Sequence, residues 1–375
     1  MIYFDNSATT SPKPQSVKNA VLTALSRYSV NPGRGGYKMS LDTSQMIYDV
    51  RQKLSDCFNA NGAENVIFTK NCTESINIAM QGVISAGDRF IISSLEHNAV
   101  YRSAAELECR GAKYDIADVS DDDGQTLHNF ERLIFPETKA IICLHASNVT
   151  GKILPIEKIG ELCKERSLIF IVDAAQTAGV LPIDVQRCNI DCLCIAPHKG
   201  MYAPMGTGVL ISGALPRPLI FGGTGSNSIS QTLPDFTPDK YESGTLNVPG
   251  ICGIGAGVNF LKSHAGIADR ERYIAKYIDS ELRKISGVTV YSAADESHVP
   301  IVTFNVGDIP SEQTANLLAK KNIAVRAGLH CAPLAHKSIG TLHSGAVRAA
   351  PGAFTTAADA KLLIAAVKNI ANINR

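Results

Sequence analysis

Neither sign of charge dominates this 375-residue sequence, and it contains no long apolar stretch. Thirty-six lysines and arginines stand against 35 aspartates and glutamates, which leaves a formal net charge of +1. This balance excludes the basic surplus with which proteins neutralise a nucleic-acid backbone. The longest apolar runs, such as residues 168–172, fall far short of the roughly 18 residues that a membrane-spanning helix needs. We therefore expect neither a nucleic-acid partner nor a membrane segment.

The sequence also lacks the marks of a secreted protein. Residues 1–5 read MIYFD, with an acid in fifth place and no basic segment ahead of an apolar one, so we expect no signal peptide and a cytoplasmic location. The ten cysteines stand at irregular spacings, whereas disulfide frameworks are typical of short secreted chains. Reduced core thiols are expected, with one reactive member. Cys188, Cys192 and Cys194 lack the C-x2-C pairs of structural zinc sites, so no metal is expected.

Residues 64–212 alternate short apolar runs with amphipathic segments. Helical patterns at 98–110 and 156–166 separate runs that are apolar on both faces, which predicts an α/β fold with a large, mainly parallel sheet. Ligands of such sheets bind beyond the C-terminal ends of the strands. The predicted strands are 66–69, 90–93, 140–144, 168–172, 192–195 and 209–212.

The pattern changes after Thr245. The remaining sequence predicts a smaller α+β domain at the C-terminus, and 45% hydrophobic residues supply enough apolar side chains for two cores. We place the boundary near Gly255, with a large domain of residues 15–255 and a small domain of 256–375 together with 1–14. The predicted helices are 249–263, 269–285, 311–321 and 356–373, and the predicted strands are 288–291, 301–306 and 324–326.

Two strand ends carry the residues that indicate a chemistry. Asp173 follows the predicted strand 168–172, with Gln176 three residues later, and His198 and Lys199 follow the predicted strand 192–195. Taken singly, the acid is equally a helix cap and the lysine equally a solvated charge. Together they supply a lysine that can form a Schiff base and an acid that can keep a pyridine nitrogen protonated. Pyridoxal phosphate requires that combination.

A cradle for the phosphate of this cofactor is predicted at residues 70–75. The strand 66–69 ends there and the helical pattern 76–83 begins, so free N–H groups and the Thr73 hydroxyl lie at a helix start, where an anion is stabilised. An ordinary capped helix explains the same residues equally well. His97 follows the strand 90–93 and is a candidate to stack on the pyridine ring. Asn148 follows the strand 140–144, and neither residue is diagnostic alone.

Short motifs along nearly the whole chain resemble those of one family, the cysteine desulfurases and selenocysteine lyases with the class-V aminotransferase fold. Each motif is weak, but eight in the same order are specific. The run RAGLHCA is similar to the Suf-type branch, because the Isc/Nif-type branch carries its cysteine on a longer loop. The motifs are CTES at 72–75, EH at 96–97, SNVTG at 147–151, VDAAQ at 172–176, HK at 198–199, GTG at 206–208, ESGT at 242–245 and RAGLHCA at 326–332.

The resemblance implies a pyridoxal phosphate enzyme of fold type I, a homodimer with the cofactor near the subunit interface. By position, it makes Lys199 the covalent attachment point, Asp173 the partner of the pyridinium nitrogen, and Cys331 the sulfur acceptor. His97 becomes the stacking ring and a proton shuttle. The resemblance also implies that Thr73, His198 and the second subunit's Thr245 contact the phosphate. Gln176 would contact the ring oxygen, and Asn148 the ring oxygen or the substrate. Arg326 and Arg348 would contact the substrate, with Arg348 as a bidentate clamp on its carboxylate.

Two positions depart from the family pattern. A hydroxyl residue usually stands two places before the histidine that is His198 here and helps bind the phosphate, whereas this chain has Ala196 followed by Pro197. One phosphate hydrogen bond would then be missing, a loss of roughly 1.5–3 kcal/mol if nothing replaces it. Cys72 stands where small or hydroxyl residues are common. It belongs to the segment expected to border the cofactor, but no role is assigned to its thiol.

The reaction implied by the resemblance converts L-cysteine to L-alanine and passes the sulfur to Cys331 as a persulfide, and then to an acceptor protein. A cysteine in a reduced enzyme is more often a buried thiol, but His330 beside it and the flanking glycine and proline favour a reactive one. Selenocysteine lyase is an alternative at the same site. Transamination, or a C–S lyase without persulfide, is another. A non-enzymatic sulfur-relay subunit is disfavoured because Lys199, Asp173 and Cys331 occur together.

Overall fold

The computed structural model describes residues 1–33, 35–213 and 217–373. The helices of this part are α1 (Gln15–Arg27), α2 (Lys38–Phe58), α3 (Cys72–Val83), α4 (Asn98–Cys109), α5 (Asp123–Glu131), α6 (Ile156–Glu165), α7 (Val248–Ser263), α8 (Ile267–Leu282), α9 (Ser311–Ala319), α10 (Pro333–Ser338) and α11 (Ala357–Ile373). Its strands are β1 (Ile2–Tyr3), β2 (Val66–Thr69), β3 (Arg89–Ser93), β4 (Lys113–Ala117), β5 (Thr138–Leu144), β6 (Ile169–Asp173), β7 (Cys192–Ile195), β8 (Gly208–Ser212), β9 (Val288–Val290), β10 (Val302–Val306), β11 (Ile323–Ala324), β12 (Arg326–Gly328) and β13 (Ala346–Ala349).

The central sheet has the strand order β2-β8-β7-β6-β5-β3-β4. Strand β8 runs antiparallel to both of its neighbours, and the other neighbouring pairs are parallel. The predicted α/β fold with a large, mainly parallel sheet is therefore confirmed. All six predicted strands belong to this sheet.

Helices cover both faces of the central sheet. Alternate residues of β5 show the pattern, since Ile141 and Cys143 pack with α2, α6 and α7 on one face, whereas Ala140 and Ile142 pack with α3 and α4 on the other. All four side chains are fully buried, as expected for a strand inside a parallel sheet. Within the described residues, no helix combines the length and apolarity needed to cross a membrane.

The smaller C-terminal domain is built on an antiparallel sheet with the order β12-β13-β10-β9. Apolar side chains of α8, α9 and α11 pack with this sheet in a separate core that includes Val302, Phe304 and Val347. Strand β1 pairs in parallel with β11, so the first residues of the chain join this domain. The predicted α+β character is confirmed. The predicted strand 324–326, however, is two short strands. The first, β11, pairs with β1, and the second, β12, pairs with β13.

Helix α7 runs without a break through Gly255, where the sequence suggested a boundary. A Cβ atom on Gly255 would lie 2.8 Å from Val50 Cγ2 in α2, and one on Gly257 would lie 2.1 Å from the Met201 carbonyl oxygen. The small residues thus let α7 pack closely against the large domain, including α1 and α2. We therefore propose that the large domain extends to the end of α7 and that the small domain starts with α8.

Candidate active site

The ends of five strands of the central sheet, β2, β3, β5, β6 and β7, border a cavity of about 200 Å³. It lies at the edge of the sheet where ligands of α/β proteins bind. The sequence-predicted site residues that line it are Cys72, Thr73, His97, Asn148, Asp173, Gln176, His198 and Lys199. Thr245, Arg326, Cys331 and Arg348 lie outside this lining.

Lys199 and Asp173 bring a base and an acid into the same cavity. Burial lowers the pKa of the Lys199 ammonium, and the negative charge of Asp173 opposes part of that shift. Asp173 ends β6 and is 6% exposed. Its Oδ1 accepts hydrogen bonds from the backbone N–H of Ala175 at 2.8 Å and from the Cys72 thiol at 3.6 Å. The protein thus fixes one oxygen of the carboxylate.

Helix α3 starts at the cavity and supplies a positive helix terminus. Asn71 caps it by accepting a hydrogen bond from the Glu74 N–H at 2.9 Å, and Thr73 lies in the first turn. A Cβ atom on Gly208 would lie 2.4 Å from the Asn71 carbonyl carbon, so the glycine allows β8 to approach this turn. Thr73 and the first-turn N–H groups can therefore bind an anion, as the sequence predicted.

His97 is a neutral imidazole with a defined tautomer. It caps α4, since its Nδ1 accepts a hydrogen bond from the Ala99 N–H at 3.1 Å. Burial lowers the pKa of His97 to about 4, and the nearby Asp173 charge opposes that shift. A neutral ring that accepts at Nδ1 carries its proton on Nε2. The cavity therefore contains an imidazole N–H donor at pH 7.

The first loop of the chain holds His198 in place. Its carbonyl oxygen accepts hydrogen bonds from Lys13 Nζ at 2.6 Å, Thr10 Oγ1 at 3.1 Å and Thr9 Oγ1 at 3.1 Å. Thr9 Oγ1 also lies 3.1 Å from His198 Nδ1. With the Thr9 hydroxyl donating to Nδ1, the ring proton of His198 is on Nε2, which can then donate to a phosphate. Lys13 and Thr10 still donate to the His198 carbonyl oxygen in that arrangement. No local sequence pattern indicates this support. Ala196 lines the cavity, and its side chain is a methyl group that cannot form a hydrogen bond.

The amides of Gln176 and Asn148 are partly engaged by the protein. Gln176 Nε2 donates to the Ser7 carbonyl at 3.2 Å. Asn148 Nδ2 donates to the His330 carbonyl at 2.8 Å, while its Oδ1 is buried without a partner among the described residues. Asn148 therefore faces the cavity with an acceptor and uses its donor elsewhere.

Cys331 lies on a loop beside the cavity and is exposed. Two consecutive residues of this loop have left-handed backbones, His330 at φ 50° and Cys331 at φ 56°. The large domain holds both peptide carbonyls, since the Asn98 N–H donates to Cys331 O at 2.7 Å and Asn148 donates to His330 O. Strain of this kind is concentrated at functional sites. The structure thus connects Cys331 to His97, which is adjacent to Asn98.

The two arginines expected to bind substrate have different surroundings. Arg348 is 2% exposed, and it donates to Asn148 O at 2.8 Å and to Asp5 Oδ1 at 3.2 Å. Burial lowers the pKa of Arg348 to about 10, and Asp5 opposes that shift. Arg326 is exposed and pairs in register with Arg348. Arg348 is thus partly occupied by the protein, and Nε has no partner among the described residues.

Thr245 is exposed and lines a separate cleft with Gly206 and Glu242. A buried ion pair secures this loop to the large domain: Arg51 Nη2 lies 2.5 Å from Glu242 Oε2, and the Phe68 N–H donates to Glu242 Oε1 at 2.6 Å. Thr245 therefore does not reach the cavity of its own chain.

Comparisons with known proteins identify the family to which the chain belongs. Residues 2–363 match the family model of class-V aminotransferases. The chain belongs to this family. It is 30% identical to a probable cysteine desulfurase of Methanothermobacter thermautotrophicus, over 99% of this chain and 95% of that one. It is 27% identical to a cysteine desulfurase of Haloferax volcanii, over 92% and 84%. The resemblance found in the sequence is thereby confirmed.

Solved structures show the same fold over nearly the whole chain. The apo cysteine desulfurase of Thermococcus onnurineus superposes with a TM-score of 0.90 at 28% identity, covering 99% of this chain and 94% of that one. The S-sulfonic acid form of the cysteine desulfurase CsdA of Escherichia coli superposes with a TM-score of 0.85 at 26% identity, with the same coverage. The predicted fold of type I is confirmed by these neighbours.

Proposed function

We propose that this protein is a pyridoxal phosphate-dependent cysteine desulfurase, which converts L-cysteine to L-alanine and passes the sulfur to Cys331. The observation that carries the proposal is the cavity that contains Lys199 and Asp173, with the Cys331 loop bonded to the helix that His97 caps. The relatives named above are cysteine desulfurases or probable ones, which supports the same reaction.

The donor set of the cavity fits the cofactor. Lys199 supplies the amine for covalent attachment, and Asp173 supplies a buried carboxylate for the pyridine nitrogen. Thr73, the start of α3 and His198 supply hydrogen-bond donors for the phosphate. When bound, pyridoxal phosphate supplies an electron sink for bond cleavage next to the substrate Cα. The protein's own residues then have to orient the substrate, move protons and accept sulfur.

Lys199 and His97 are suited to moving protons at the substrate Cα. Because burial lowers the pKa of Lys199, a larger share of the side chain is the neutral amine, which is the form that acts as a nucleophile or base. His97 keeps a proton on Nε2 at pH 7 and can donate it. Arg348 and Arg326 provide the positive charge for the substrate carboxylate. Asn148 Oδ1 is available to accept a hydrogen bond from a donor group of the substrate.

Sulfur transfer takes place at Cys331. Its thiolate attacks the sulfur of the substrate cysteine, so an S–S bond forms while the Cβ–S bond breaks, and Cβ gains a proton to become the methyl group of alanine. In total, one enzyme thiol and one cysteine give one enzyme persulfide and one alanine, so no external oxidant is required. Exposure of Cys331 allows the persulfide to pass to an acceptor protein.

A homodimer is part of the proposal. Thr245 is exposed in its own chain and lies apart from the Lys199 cavity, so its hydroxyl would reach the phosphate of a second subunit. Apolar side chains of the 220–236 loop and of residues 37–48, at the start of α2, remain exposed in the single chain, which favours burial against another copy. They are Tyr37, Met39, Leu41, Tyr48, Phe221, Ile229 and Phe236.

The deciding experiment measures alanine release by the purified protein from L-cysteine and, separately, from L-selenocysteine. We expect release from cysteine that depends on added pyridoxal phosphate and falls to near zero in Cys331→Ser, because serine cannot form a persulfide. Release from selenocysteine alone would instead identify a selenocysteine lyase. Release from cysteine that persists in Cys331→Ser would identify a lyase without persulfide.

All ten cysteines are free thiols, which supports the reducing cytoplasm as the location.

A further inference from the structure

The reaction described above leaves the thiol of Cys72 without a task, although Cys72 lines the same cavity as Lys199. Its Sγ lies 3.6 Å from Oδ1 of Asp173, and both residues are buried, at 9% and 6% exposure. The backbone N–H of Ala175 donates to the same oxygen at 2.8 Å. Oδ1 of Asp173 therefore has two partners within the protein, one from the turn after β6 and one from the first residue of α3.

Cys72 is the donor in this contact because its thiol keeps its proton. Burial, followed by the charge of Asp173, raises the pKa of Cys72 well above its usual value, and Lys199 offsets this only in part. The start of a helix by itself favours a thiolate, so desolvation outweighs the helix terminus here. An ionised carboxylate offers only acceptors. The hydrogen bond therefore runs from the S–H group to Oδ1.

Two donors on one carboxylate oxygen have two physical consequences. They restrict rotation of the Asp173 carboxylate, so that Oδ2 is the oxygen left for a ligand in the cavity. They also satisfy that buried acceptor oxygen with two hydrogen bonds from the protein. Both effects serve a carboxylate that has to stay charged opposite a protonated ring nitrogen.

We propose that Cys72 is a positioning residue for the reaction: its S–H group holds Oδ1 of Asp173, so that Oδ2 remains directed at the pyridinium nitrogen of pyridoxal phosphate. The inference rests on the proposed function, since Asp173 is the partner of the ring there. It gives the two thiols near the site different tasks. Cys331 reacts with sulfur, whereas Cys72 donates a hydrogen bond and stays unmodified.

Infrared spectroscopy of the full-length protein tests the hydrogen bond itself. The difference spectrum between wild type and Cys72→Ala isolates one S–H stretching band, and the difference against Cys163→Ala isolates a matched core thiol of α6, which is 1% exposed. We expect the Cys72 band at lower wavenumber, because donation to a carboxylate weakens the S–H bond. A Cys72→Ser protein isolates the same band if the alanine variant does not fold.

The dissociation constant of pyridoxal phosphate, measured by absorbance, tests the consequence. We expect Cys72→Ala to weaken binding about three- to tenfold, the range for loss of one modest hydrogen bond. Cys72→Ser keeps a donor of similar size and should stay within about twofold of wild type, as should Cys163→Ala. In an Asp173→Asn background, Cys72→Ala should have less than about half of its effect on the binding free energy, because the two residues act as a pair.

Two results distinguish failure of this inference from failure of the proposed function. The positioning role would be overturned if Cys72 and Cys163 had S–H bands at the same wavenumber, or if Cys72→Ala and Cys163→Ala bound the cofactor equally well. The proposed function would stand in that case, provided that Asp173→Asn weakens cofactor binding. If Asp173→Asn leaves cofactor affinity unchanged, the assignment of Asp173 to the ring fails, and the role of Cys72 fails with it.

Discussion

The side-chain amide of Asn148 donates a hydrogen bond to the carbonyl oxygen of His330 at 2.8 Å, which ties the large domain to the residue just before Cys331. The backbone carbonyl of Asn148 in turn accepts a hydrogen bond from Arg348 at 2.8 Å. One residue in the segment after β5 therefore contacts both the loop of the sulfur acceptor and the arginine expected to bind substrate. Its remaining acceptor, Oδ1, is left for the cavity.

Asn148→Ala should separate sulfur transfer from cofactor binding. Loss of the amide donor frees the Cys331 loop, so we expect alanine release to fall about 5- to 30-fold, which corresponds to roughly 1–2 kcal/mol. The affinity for pyridoxal phosphate should change less. Steady-state assays and absorbance titration measure the two quantities. A larger loss of cofactor affinity than of turnover would show that Asn148 serves mainly the ring. Gln81→Ala, at a half-buried position of α3 outside the cavity lining, is the control.

Lys199 should be the attachment point of the cofactor. The purified protein should be yellow, and borohydride reduction followed by peptide mapping should place the pyridoxyl group on Lys199, because its amine lies in the cavity and burial lowers its pKa. Lys13 is the internal control, since burial lowers its pKa to about 8 but it contacts the His198 carbonyl instead. A label on Lys13, or the absence of a chromophore after pyridoxal phosphate is added, would refute the site.

Mixed dimers should reveal whether Thr245 acts across the subunit interface. When Thr245→Val and Lys199→Ala subunits are mixed, each heterodimer has one site with both substitutions and one site with neither. We therefore expect the mixture to recover part of the alanine-forming activity that the separate variants lack. Activity equal to the mean of the two parent proteins would show instead that each chain forms its site alone.

Glu271 should make stability depend on pH. Burial raises its pKa to about 7, against smaller opposing effects of Tyr202 and Arg270, and the Tyr202 hydroxyl donates to it at 2.7 Å. Because the folded protein holds this proton more tightly than the unfolded chain, the contribution is most favourable below about pH 4.5 and is lost as pH rises through 7.

Glu271→Gln keeps an acceptor for Tyr202 and removes the charge. We expect the variant to gain roughly 1–3 kcal/mol of unfolding free energy relative to wild type between pH 5 and pH 8. Urea unfolding at several pH values measures this difference. Parallel pH profiles for the two proteins would mean that Glu271 titrates normally in the folded state.

The sequence predicted the buried strands well because residues on both of their faces are apolar. Strand β4 was missed since its exposed residues, such as Lys113, interrupt the apolar pattern at the sheet edge. Strand β13 was missed because the buried Arg348 lies within it. Helices α1 and α2 were not assigned. The pattern predicted α7 as one helix over 249–263, and the proposed domain boundary near Gly255 lies inside it.

In the candidate site, too, local sequence patterns predicted some residues and could not predict others. Asp173 and Lys199 could be found because each directly follows an apolar run, and strand ends meet at one edge of a parallel sheet. The support of His198 by Thr9, Thr10 and Lys13 could not be found, because these residues lie about 190 positions away in the chain and no local pattern links them. The hydrogen bond between Cys72 and Asp173 likewise exists only once α3 and β6 are adjacent.

The most direct test of the account is to locate the transferred sulfur. The holoenzyme is incubated with L-cysteine, its thiols and persulfides are alkylated, and the peptides that contain the ten cysteines are analysed by mass spectrometry. The account predicts a persulfide on Cys331 alone, with one alanine released for each persulfide formed before any acceptor is added. A persulfide on Cys72 or another cysteine, or alanine release without any persulfide, would contradict it.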